Sequence, residues 1–136
     1  MIDRKFLNVL EYKVTGACIE VHKALGSGLL ESIYHNCLKK EFQLRSINFI
    51  SEKKILINYK DEVLDTKIRA DFFIENCLIL ELKSVERVLP IHEAQVLTYM
   101  KILKAPKGLL INFNSMNIIQ HGKKPFINEF YDLLKD

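Results

Sequence analysis

Cys77-Leu78-Ile79-Leu80-Glu81-Leu82-Lys83 is an apolar, strand-like run broken twice, by Glu81 and by Lys83, and alternation along a strand puts both on one face. Ionised side chains in an apolar environment are costly unless paired, neutralised or bound to a cation. Asp71 stands upstream with nine residues between it and Glu81, so the chain reads Asp, nine residues, Glu-x-Lys.

Register decides whether these groups meet. A two-residue hairpin loop at Glu75-Asn76 would set Asp71 opposite Leu80 and send its side chain away from Glu81. A three-residue loop, Glu75 to Cys77, or a bulge with the same effect, sets Asp71 directly across from Glu81. We expect the second arrangement, because two carboxylates that share a cation must share a face.

Working outward, Phe6, Leu10, Val14, Ala17, Val21 and Leu25 recur at helical steps, predicting an amphipathic helix over residues 3–25 that ends at Gly26-Ser27-Gly28. Leu30, Ile33, Tyr34, Cys37, Leu38 and Phe42 mark a second helix to about Arg45, so the chain should open with a helical hairpin. From Ile47 the period shortens to two. Strands follow around Ile55 to Tyr59 and Val63 to Ile74, with a turn at Lys60-Asp61-Glu62. Pro90 suits the first turn of a helix over 91–104, and Leu109 to Phe113 reads as a buried strand. Asn117 to Gln120 is expected as a short edge strand, and Phe126, Phe130, Leu133 and Leu134 as a closing amphipathic helix. This order implies an α+β fold, a mixed central sheet flanked by helices.

The 136 residues are expected to form one domain spanning 1–136, with 49% apolar and 27% charged residues and no low-complexity stretch. A net charge of +3 neither announces nor excludes a nucleic-acid binder. Cys18, Cys37 and Cys77 are widely spaced in apolar surroundings, which argues for reduced thiols, a cytoplasmic protein and no zinc site. No apolar run is long enough for a membrane span.

Two carboxylates and a lysine on one face suit metal-assisted phosphodiester hydrolysis. Mg²⁺ (or Mn²⁺) prefers carboxylate, carbonyl and water oxygens, so Asp71, Glu81 and the Leu82 carbonyl are candidate ligands, while Lys83 can orient water or stabilise phosphate charge. The competing reading is a buried Glu81–Lys83 or Asp71–Lys83 ion pair without chemistry. Gln95 and Tyr99, four apart, project from one helix face, and His92 can join them. Glu31 opens the second helix, where the helix dipole would favour it even without function, and Tyr34 reads equally well as core.

The strings Val21-His22-Lys23-Ala24-Leu25-Gly26, Gly28-x-x-Glu31-x-x-Tyr34, Arg69-Ala70-Asp71, Glu81-Leu82-Lys83, Gln95-x-x-x-Tyr99 and Gly108 to Phe113 occur in that order. Together they resemble the GxxExxY protein family, grouped with the PD-(D/E)XK nuclease superfamily. The resemblance implies a nuclease-like fold acting on nucleic acid, DNA first. It implies Asp71 and Glu81 as metal acids, Glu31 as a further acid and Lys83 as the superfamily lysine. Gln95 and Tyr99 resemble the glutamine-tyrosine motif of RecB-like exonucleases and related CRISPR-associated nucleases. His22, Tyr34 and Arg69 are accessory candidates, and Ala70 replaces the usual proline. The alternative is a nucleic-acid-binding or regulatory module that retains the fold without turnover. A homodimer or a partner subunit would help so small a domain grip duplex DNA.

Overall fold

The computed structural model describes all residues, Met1 to Asp136. Helices α1 (Arg4–Leu25) and α2 (Glu31–Leu44) form the expected hairpin. They are followed by β1 (Phe49–Tyr59), β2 (Glu62–Ile74), β3 (Leu78–Lys83), α3 (Pro90–Leu103), β4 (Lys107–Asn112), a π-helical turn (Ile118–Gly122), β5 (Lys123–Ile127) and the short α4 (Glu129–Asp132). The five strands form one mixed sheet in sequence order. β3 and β4 are parallel through the α3 crossover, and the other pairs are antiparallel.

Asp3 caps α1 by accepting the Phe6 N–H at 2.7 Å, and Gly26, at φ +74°, ends it by donating its N–H to the His22 carbonyl. The buried stripe of α1 is Leu7, Leu10, Val14, Ala17, Cys18 and Val21. Phe6, expected on that stripe, is exposed; Leu7, one residue on, faces the core instead. Pro90 is at the first turn of α3, as its missing N–H favours.

The sheet is covered on both faces. α1 and α2 pack with Tyr34, Leu38, Phe42, Phe72, Leu80, Leu82, Leu109 and Ile111 in the larger core. On the other face, Val96, Tyr99 and Met100 of α3 cover Ile79 and Leu110. Gly108 allows that close approach, since a Cβ there would sit 2.6 Å from Met100 Sδ.

Two expectations at the C-terminal end are corrected. The edge strand is Lys123–Ile127, not Asn117 to Gln120, because the Asn117 side chain accepts the Gln120 N–H at 2.9 Å and closes a helical turn there. Lysines and a proline at 123–125 are typical of an edge strand. Phe126 therefore lies in a strand, and the closing helix shrinks to one turn capped by Asn128, leaving Leu133 exposed. No helix is long and apolar enough to cross a membrane.

Candidate active site

β2 and β3 pair Ile74 with Leu78, Phe73 with Ile79 and Phe72 with Leu80, so Asp71 and Glu81 come next, directly opposite. The loop is Glu75 to Cys77, as expected. Glu75 and Asn76 both adopt positive φ, and Cys77 donates its N–H to the Ile74 carbonyl at 3.0 Å.

Beyond Phe72 and Leu80 the main-chain ladder stops and side chains take its place. Glu81 Oε1 accepts the Asp71 N–H at 2.8 Å, and Asp71 Oδ2 accepts the Leu82 N–H at 2.7 Å. Both carboxylates are thereby fixed in the gap where the strands part. The two carboxyls also hydrogen-bond each other, with Glu81 the donor and Asp71 the acceptor. Within a strand the N–H and C=O of a residue point to the same side, so the Leu82 carbonyl also faces this gap.

Burial sets the electrostatics, and at Glu81 the Asp71 charge adds to it. Desolvation, then the Asp71 charge, push the Glu81 carboxyl well above the ordinary range. Desolvation raises Asp71 as well, although the Leu82 N–H, His35, the hydrogen bond from Glu81 and the Lys83 charge oppose it. Lys83, half-buried at the end of β3, forms no ion pair with either acid. The simple buried-ion-pair reading is therefore not what the side chains do. Lys83 does act on Asp71, Glu81 and Glu31, favouring the charged form of each.

The gap is approached from both faces. On the α3 side is Tyr99, whose phenol is raised by burial and by the charges of Glu81 and Asp71. Gln95 is one turn earlier, half-buried and without a hydrogen-bond partner in the chain. His92 instead accepts the Leu89 N–H on Nδ1 at 3.0 Å, capping α3. On the α2 side Asp71 opens into a cavity of about 350 Å³ lined only by Glu31, Ser32, His35, Asn36, Glu52 and Asp71. Burial and Asp71 raise the Glu31 carboxyl. Glu31, Asp71 and Glu81 do not converge into a group of three acids able to hold one ion directly.

Why Glu31 lies there is legible locally. The Gly26–Leu30 loop is tied to the ends of β3 and β4: Ser27 Oγ reaches the Phe113 and Ser115 carbonyls at 3.1 and 2.8 Å, and Ser84 Oγ donates to the Leu29 carbonyl at 2.6 Å. Tyr34 is part of this fastening. Its hydroxyl donates to the Gly26 carbonyl at 2.5 Å and its ring stacks on Phe113 at 4.3 Å. The structure brings neither Tyr34, His22 nor Arg69 to the acids. His22 Nε2 is 3.3 Å from Ser27 Oγ, and Arg69 pairs with Asp65 at 3.5 Å.

Four lining residues, Ser32, His35, Asn36 and Glu52, escaped the sequence reading. His35 is one turn after Glu31 on α2, a spacing that could have revealed it. Glu52 falls opposite Asp71 in the β1–β2 register and turns into the cavity through a φ of +55°, for which its sequence carries no signal.

A mixed sheet with two opposed carboxylates at a strand divergence, and a lysine two residues beyond the second, defines a nuclease-type core. The chain matches the family model of the PD-(D/E)XK nuclease superfamily over residues 8–124 and belongs to that superfamily. No curated protein matches it, and no solved structure does.

Proposed function

We propose that the protein is a Mg²⁺- or Mn²⁺-dependent nuclease that hydrolyses phosphodiester bonds in DNA, of the GxxExxY type within its superfamily. The observation carrying this reading is the Asp71–Glu81 pair: two carboxyls withdrawn from water face each other without an ion-pair partner, each with one oxygen held by a main-chain N–H. Such a donor set fits a hard divalent cation, which would replace the proton that desolvation favours on the pair. Asp71, Glu81 and the Leu82 carbonyl would hold it, with Glu31 acting from the cavity edge. The bound cation would supply charge neutralisation at the phosphate and a more acidic water.

The chain's own residues divide the remaining work. Lys83, unpaired and beside the acids, orients the attacking water or meets developing charge on the phosphate. Tyr99 and Gln95, on the α3 side of the gap, steady the scissile strand or the lysine. Incubation of pure protein with end-labelled single-stranded and duplex DNA, with Mg²⁺, Mn²⁺ or EDTA, tests the reading. Cleavage that needs metal and is lost in Lys83→Ala is expected. Metal-independent binding without cleavage would make the protein a binding module instead.

A further inference from the structure

We infer that His35 is a substrate-contacting residue, whose Nδ1 binds a phosphate oxygen of the nucleic-acid strand as it passes Asp71 on the α2 side; this rests on the nuclease reading. The imidazole is held rigidly. Its ring stacks on Phe72, the neighbour of Asp71, at 4.2 Å and 16°, and its Nε2 is 2.7 Å from Ser51 Oγ. Ser51 makes no other side-chain hydrogen bond, so its hydroxyl is free to donate to Nε2 and select the tautomer that carries the proton on Nδ1.

Nδ1 itself has no partner. The residue is only half-buried, and the one buried, unpartnered side-chain polar atom in the chain is Thr15 Oγ1, so Nδ1 is open to solvent. The cavity it lines contains no apolar residue, and three of its six side chains are carboxylates. An anionic strand entering here needs donors, and among the lining groups His35, Ser32 and Asn36 are those that have them. Burial lowers the His35 pKa against the pull of Asp71 and Glu52, which favours the neutral ring. Ser32 and Asn36 are exposed on the same helix and lack this locking.

The two ring nitrogens make the inference separable from a structural role. Asn places a polar atom near Nδ1, whereas Gln reaches the position of Nε2. Kinetics and binding of a labelled oligonucleotide, in Ca²⁺ and in Mg²⁺, should be compared for wild type, His35→Ala, His35→Asn and His35→Gln, with thermal unfolding of each. The expected result is about fivefold weaker binding and a raised KM in His35→Ala, as for loss of one hydrogen bond, largely recovered by Asn and not by Gln. An imidazole NMR signal of His35 should also shift when an uncleaved oligonucleotide is added. Recovery by Gln alone, or unchanged KM and affinity in His35→Ala while wild type cleaves, would overturn the inference and leave the nuclease intact. A wild type that neither binds nor cleaves with any metal would remove both.

Discussion

Glu11 and the Asp71–Glu81 pair are both acids withdrawn from water, yet the protein treats them in opposite ways. Glu11, on α1, meets Lys107 Nζ on one carboxylate oxygen and Lys123 Nζ on the other, each at 2.5 Å. These two lysines outweigh desolvation and hold its carboxyl below the usual range. Asp71 and Glu81 have no such cations, and their carboxyls are raised. A fully paired buried acid is a clamp, here fastening the first helix to β4 and β5. Two acids facing each other without an ion pair cost stability, the opposite of the clamp.

The sharpest way to break this contrast is through activity. Asp71→Ala is expected to lower metal-dependent cleavage by about a thousandfold or more while leaving the unfolding midpoint within a few degrees of wild type. A purified, folded Asp71→Ala protein that cuts DNA normally would place the chemistry elsewhere. Glu11→Ala should do the reverse. It strands the largely buried Lys107 and is expected to cost about 3 kcal/mol of stability, read from urea unfolding, with cleavage per folded molecule unchanged.

A finer comparison replaces each acid by its amide. Glu11→Gln should destabilise, because both lysines lose their counter-charge. Glu81→Gln should leave the metal-free protein as stable or up to about 1 kcal/mol more stable at pH 8, since the amide is neutral without the proton that burial holds on the wild-type carboxyl up to about 9. It should also abolish the rise in midpoint that Mg²⁺ or Mn²⁺ gives wild type. Equal losses in the two variants would mean that Glu81 is held by a partner after all.

The acids at the gap were readable because strand alternation and hairpin register are local rules. Glu81 and Lys83 stood out as charges in an apolar run, and the loop at Glu75 to Cys77 followed from requiring Asp71 to face them. The helical hairpin was likewise visible in its apolar spacing and in Gly26 and Gly28. What was not readable depends on contacts made far along the chain. Asn117 prefers its own backbone to a strand, and Lys123 is drawn to Glu11 across the fold. Tyr34 looked like part of the site, but its hydroxyl closes the loop that positions Glu31. His35 entered the cavity by helical geometry that the sequence contained, whereas Glu52 entered by a left-handed backbone that it did not announce.

The smallest effect is the most direct comparison of the two regions, because they should titrate in opposite senses. Glu11 has a folded pKa below its unfolded value, so its contribution is present above the ordinary Glu range and is lost as pH falls through the folded value. Asp71 and Glu81 have folded values above their unfolded ones. Their protonated forms are favoured in the folded chain, so what they contribute is present at low pH and is lost as pH rises above the ordinary carboxylate range. Metal-free wild type should therefore lose stability as pH climbs from about 5 towards 8, a slope that Glu81→Gln flattens. Saturating Mg²⁺ should flatten it too, because binding to the ionised acids strengthens as their protons leave. A slope that survives both Glu81→Gln and Mg²⁺ would have to come from other groups, and the opposition between the clamp and the gap would then lose its electrostatic basis.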